Sequence, residues 1–237
     1  MTSGIDCVFE GFRLIRQPGL RRYVIMPLTI NVVLLTGFIT WGVMRFEVWT
    51  DSLTRYLPSW LSFLSWLIGL LAAVLVILVV LYLFTIVANI IAAPFNAILS
   101  VKVEERLTGL VSKSESSVMA VLFRSIAREL GKLLYYLPRL VGLLIISFIP
   151  GINAIAPALW ILFGAWMMAV EYTDYAADNN EVSFSELRLR LGWNRVQALG
   201  FGVLVYFLLA IPFLNLVVIP AAVAGGTAFW VRRLNAR

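Results

Sequence analysis

The chain has 237 residues, is 61% hydrophobic, carries a formal net charge of +6 and holds no histidine; its mean hydropathy is +0.92. That much apolar surface excludes a water-soluble domain and points to a single integral membrane domain, all-α, over residues 1–237. The lone cysteine, Cys7, excludes an internal disulfide, and the missing histidine removes the commonest general base and metal ligand. A basic balance suits anionic headgroups or the handling of anions, while nucleic acid finds little support.

The first sixteen residues, MTSGIDCVFEGFRLIR, have no continuous apolar run and no small-residue cleavage site, so they do not read as a signal peptide. Val8, Phe9, Phe12 and Ile15 fall at helical spacing with Arg13 and Arg16 beside them, which predicts an amphipathic surface helix and turn over residues 1–22. Pro18 ends that helix and Gly19 permits a turn closed to other residues. The next helix start exposes free N–H groups and a positive dipole end, and Arg21 and Arg22 add side-chain donors. Two readings are open here. Basic flanks of membrane spans are common, and on the residues alone these arginines read first as such a flank. The other reading is a site that grips a tetrahedral oxyanion through guanidinium pairs.

Residues 23–44 are free of charge and long enough to span. An electrically balanced link, Arg45 to Arg55, leads to a second charge-free stretch, 56–101, whose spanning part is placed at 66–91. Its flanks carry Trp60, Trp66 and Asn96, which suit the interfaces. Segment 101–139 is basic: Arg124, Arg128 and Lys132 share one helix face, as in an amphipathic helix lying on the membrane or in a solvated one.

Regions 140–170 and 196–231 are each broken in the middle by matching sequence, IPGINAIAPA and IPFLNLVVIPA. Paired prolines there predict a bend, and unpaired backbone at membrane depth needs protein or a water-filled cavity around it. The expectation is two re-entrant hairpins that only partly penetrate, with one kinked span per region as the alternative; matched breaks also point toward a permeation path. The polar link between them, 171–195, has Ser183 and Glu186 at capping-box spacing, so a helix should start near Phe184.

Candidate chemistry is sparse. No thiol pair, metal-ligand cluster or ATP-binding P-loop occurs, so no cofactor, no metal and no catalysis are expected. The acidic residues, Glu104, Glu105 and those from Glu171 to Glu186, read as solvated charges. Asparagines at membrane depth, namely Asn31, Asn89, Asn96, Asn153 and Asn215, either join helices by hydrogen bonds or line a hydrated path.

Three stretches, PGLRRYVIMPLTIN, VANIIAAPFNAILSVKVEERL and YTDYAADNNEVSFSELRLRL, resemble the CysZ sulfate permease family of bacterial inner membranes, with similarity over nearly the whole chain. The resemblance implies sulfate uptake for cysteine synthesis by a channel-like or secondary permease. It also implies two spanning helices with two partly penetrating pairs, and homo-oligomers in which protomers can be oppositely oriented. It implies sulfate binding at Gly19, Leu20 and Arg21, with Arg22 adjoining. Asn31, Asn153, Asn215, Glu104 and Arg106 are expected pore-lining residues without a motif behind them. A permease for another oxyanion, or a membrane interaction protein without flux, is the rival expectation.

Overall fold

The structure is a computed structural model that describes residues 3–55, 65–110, 118–211 and 214–235. The side chains of Asn89 and Arg124, and the flank at 56–64 with Trp60, lie outside the described residues. Among the described residues eight α-helices follow one another: α1 Gly4–Leu14, α2 Arg22–Arg55, α3 Ser65–Thr108, α4 Val118–Phe148, α5 Ala156–Asn179, α6 Phe184–Trp193, α7 Arg195–Leu209 and α8 Asn215–Phe229. Among the described residues five segments are long and apolar enough to cross a bilayer: Arg22–Phe46, Gly69–Thr108, Ala127–Phe148, Asn153–Asn179 and Asn215–Leu234. The chain is therefore an all-helical, multi-pass membrane protein.

Helix bounds run past those read from the sequence. Helix α2 continues through the expected link to Arg55, and α3 passes Pro94 to reach Thr108. The later part of the basic segment, from Val118, and the first arm of the third apolar region are one helix, α4, with Pro138 inside it. Each internal proline forgoes one backbone bond, which a helix flanked by intact turns tolerates.

Two compact units divide the chain, Ile25–Phe95 and the remainder, Met1–Val24 with Asn96–Arg237. In the first, Phe38, Gly42 and Phe46 of α2 and Ala73, Val76 and Val80 of α3 line an apolar cleft of about 370 Å³. Asn31, in the same unit, is buried, and its Oδ1 has no hydrogen-bond partner.

The larger unit is built on α5, α7, α8 and α1. Ser3 caps α1 by accepting from the Asp6 N–H at 3.0 Å while its own N–H donates to Asp6 Oδ2 at 2.7 Å, which holds the Asp6 carboxyl below its usual range. One face of α1 packs into the protein while Ile5, Asp6, Phe9 and Arg13 on the other are exposed. Cys7, Val8, Leu14 and Ile15 are buried in the protein core, and Phe9 alone of the expected apolar face is exposed. Burial pushes the Cys7 thiol up to about 12, so it is a packing residue. Close helix approach depends on small residues: a methyl at Gly11 would overlap the Ala221 carbonyl, and one at Gly202 the Ala165 carbonyl. Phe201 and Phe229 stack at 6.0 Å in the core.

Helices α4 and α5 form an antiparallel hairpin. Trp160 Nε1 donates to Ser147 Oγ at 3.1 Å and Trp166 Nε1 to Tyr135 Oη at 2.9 Å. The turn between them has Gly151 at φ 84°, followed by a 3-10 turn at Asn153–Ile155. The second break falls between Leu209 and Asn215. Helix α6 starts at Phe184 with Ser183 Oγ accepting from the Glu186 N–H at 3.2 Å, as the capping spacing predicts.

Candidate functional site: a basic cleft beside the Gly19 turn

Pro18 and Gly19 make the turn between α1 and α2, with Gly19 at φ 90° in the left-handed region. The N–H groups of Leu20 and Arg21 both donate to the Gln17 carbonyl at 3.2 Å, so neither is free for a ligand. The Leu20 side chain is buried and anchors the turn in the core. Across from it, the last turns of α3 present Lys102, Glu105 and Arg106 at i, i+3 and i+4, one helix face. Pro18, Gly19, Leu20, Arg22, Lys102, Glu105 and Arg106 line a cleft of about 290 Å³.

Three cations therefore share this cleft with one carboxylate. Arg22 Nη2 donates to Tyr23 Oη at 2.8 Å and its guanidinium lies 4.8 Å from the Tyr23 ring centroid, which orients it. Lys102 Nζ pairs with Glu105 Oε2 at 2.7 Å. A small oxyanion entering the cleft would meet the charged donors of Arg22 and Arg106, with Glu105 competing for Lys102. Arg21 is exposed and does not line the cleft.

The expected pore residues are not brought together as one set. Arg106 is in the cleft. Glu104 lies behind it, buried, with Oε1 accepting from Asn180 Nδ2 at 2.6 Å and Oε2 without a partner. Next to it, Asn179 Nδ2 donates to Ser100 Oγ at 3.0 Å, and Ser100 shares a 2.9 Å bond with Thr227, joining the ends of α3, α5 and α8. Asn153 and Asn215 sit instead at the two helix breaks, at the far end of this unit. Asn31 belongs to the other unit.

A second polar cluster escaped the sequence reading, which took these acids as solvated. Arg128 and Lys132 of α4 are buried against α5. Arg128 Nε donates to Asp174 Oδ1 at 2.7 Å and Nη1 to the Val182 carbonyl at 2.7 Å, while Lys132 pairs with Glu129 at 2.6 Å, Glu171 at 3.1 Å and Asp174 at 3.3 Å. The signal was present in the sequence: basic residues four apart on one helix, and acidic residues three apart on the helix that follows the turn.

These features define a multi-pass helical membrane protein that carries a basic cleft against a buried polar network. The chain belongs to the family described as "Sulfate transporter CysZ/Etoposide-induced protein 2.4", whose profile matches residues 7–220. Among its relatives, the protein named "Sulfate transporter CysZ" from Pseudomonas syringae pv. tomato is 50% identical over 240 residues, covering 99% of this chain and 94% of that one. The protein of the same name from Pseudomonas fluorescens strain SBW25 is 51% identical over 237 residues, covering 99% and 93%. That from Pectobacterium atrosepticum is 46% identical over 234 residues, covering 98% and 85%.

Proposed function

We propose that this chain carries sulfate across the bacterial inner membrane for assimilation into cysteine, as a homo-oligomeric channel or secondary permease. The observation that carries this reading is identity near one half, over almost the full length, to proteins named as sulfate transporters. Sulfate binds in the cleft, held by Arg22 and Arg106 beside the Gly19–Leu20 turn. The exposed Arg21 raises the local anion concentration without touching the ion. Binding has to be weak enough for release, and Glu105 serves that end by drawing Lys102 away from the ion.

Re-entrant hairpins fit this reading better than full spans. The α4–α5 turn is apolar and exposed at Phe148, Ile149, Ile152 and Ile155, and residues 140–170 hold no charge. From Arg139, the last charge, to that turn is ~15 Å of helix, and from Arg195 to the end of α7 ~21 Å, both short of a bilayer core of ~30 Å. A turn of that composition is stable inside the membrane rather than in water beyond it. Asn153 and Asn215 then supply neutral polar groups where the hairpins bend.

Glu105→Gln is expected to tighten sulfate binding about fivefold, on the order of 1 kcal/mol for removing a like charge a few ångströms from a dianion. Calorimetric titration of the purified variant checks this. The function itself is tested by expressing the chain in a bacterium unable to take up sulfate. Growth on sulfate as the only sulfur source is the expected outcome. Absence of growth, with inserted protein shown in the membrane and growth on cysteine intact, contradicts it.

A further inference from the structure

Away from the cleft, two arginines lie against one aromatic ring. The guanidinium of Arg139 on α4 lies 3.7 Å from the Tyr135 ring centroid and that of Arg188 on α6 lies 4.7 Å from it. Arg188 also lies 5.0 Å from the Phe184 ring. Tyr135 is itself held by Trp166, which donates to its hydroxyl, and by edge contact with Phe184 at 5.8 Å. Arg139 Nη1 donates to the Tyr135 carbonyl at 2.7 Å, which fixes that side chain too. Among the described residues no carboxylate pairs with either arginine, and the Arg188 Nε is buried without an acceptor. A guanidinium N–H left unpaired inside a rigid aromatic frame costs free energy unless an anion completes it.

The surroundings say which anion. Arg139 is the last charge before the charge-free run of 140–170, so it stands where a membrane segment begins. Leu134 and Leu137 on α4 are exposed at 75% and 59%, and Leu189 and Trp193 on α6 at 55% and 76%. In a membrane protein such side chains are covered by lipid, and tryptophan favours the headgroup level. We infer that Arg139 and Arg188 form a binding site for the phosphate of an anionic lipid headgroup, whose acyl chains lie along these exposed apolar side chains. The site would brace α6 against the α4–α5 hairpin, and it is separate from the residues placed around sulfate.

The test is native mass spectrometry of the full chain, titrated with phosphatidylglycerol or phosphatidylcholine. Phosphatidylglycerol should be retained at least fivefold over phosphatidylcholine. Arg139→Gln, an exposed change that leaves the fold intact, should weaken its retention about fivefold, and Arg139→Gln with Arg188→Gln about thirtyfold. A control pair of exposed arginines, Arg13→Gln with Arg195→Gln, should change it less than twofold. Equal retention of the two lipids overturns the inference, as does a control pair that matches the test pair, which would mean surface charge alone. Displacement of phosphatidylglycerol by an equal concentration of inorganic phosphate also overturns it, in favour of a free-anion site.

Discussion

Replacing Asp174 with alanine is expected to destabilise the protein by about 3 kcal/mol, the scale on which removing one partner of a buried pair leaves its cation uncompensated. Asp174 is buried and faces two buried cations at once, with Arg128 at 2.6 Å and Lys132 at 3.3 Å. Lys132 keeps Glu129 and Glu171, but Arg128 is left with the Val182 carbonyl and a longer 3.6 Å contact to Asp178. The pair joins α4 to α5, so the loss should appear as a lower unfolding temperature of detergent-purified protein. A variant with both Arg128→Met and Asp174→Leu should recover much of the loss, because it removes both charges and leaves apolar volume in their place. A single variant that unfolds with the parent would mean that water reaches this network and screens it.

The second large effect lies in the cleft. Arg22→Ala and Arg106→Ala should each weaken sulfate binding about tenfold, since a charge-assisted hydrogen bond contributes on the order of 1.5 kcal/mol. Together they should weaken it by up to about a hundredfold, short of strict additivity because both touch one ion. Arg21→Ala should behave differently. Its side chain is exposed and outside the cleft, so its effect should be small and should fade as salt is raised. Titrating each variant at low and high ionic strength separates contact from steering. An Arg21 variant that loses as much as the Arg22 variant at high salt would move the binding site onto Arg21.

The membrane class was legible from hydropathy, because a bilayer demands long charge-free helices and the sequence has them. The helix breaks were legible too: proline with nearby asparagine recurs in two regions, and the chain breaks at both, between Phe148 and Ala156 and between Leu209 and Asn215. Helix ends were not. Helix α2 runs on through the expected link, and Pro94 and Pro138 lie within helices whose intact turns on either side tolerate one lost backbone bond. The fate of α1 was hidden because an amphipathic stripe looks the same whether it meets lipid or protein. Only the glycines at 4, 11 and 225, which let α1 sink against α7 and α8, distinguish the two.

For the cleft, the Gly19 turn and the arginine beside it were legible as a turn with basic residues, open to a helix-flank or an anion-site reading, and the cleft itself was not. Arg106 was expected along a pore rather than at this turn, Glu105 as a solvated charge, and Lys102 was not singled out; all three are some eighty residues further along the chain, and only the fold sets them beside the turn. The buried charges of α4 and α5 were misread for a related reason. Pattern gives the spacing of charges on a helix, while burial depends on what packs against that face.

The measurement that bears most directly on the account is uptake of labelled sulfate into liposomes that contain the purified protein, with the Arg22→Ala, Arg106→Ala variant beside it. Sulfate should accumulate with the parent and fall at least tenfold with the variant at equal insertion. Equal uptake by the two would remove the cleft from the path, and no uptake by intact, inserted parent protein would contradict sulfate transport by this chain.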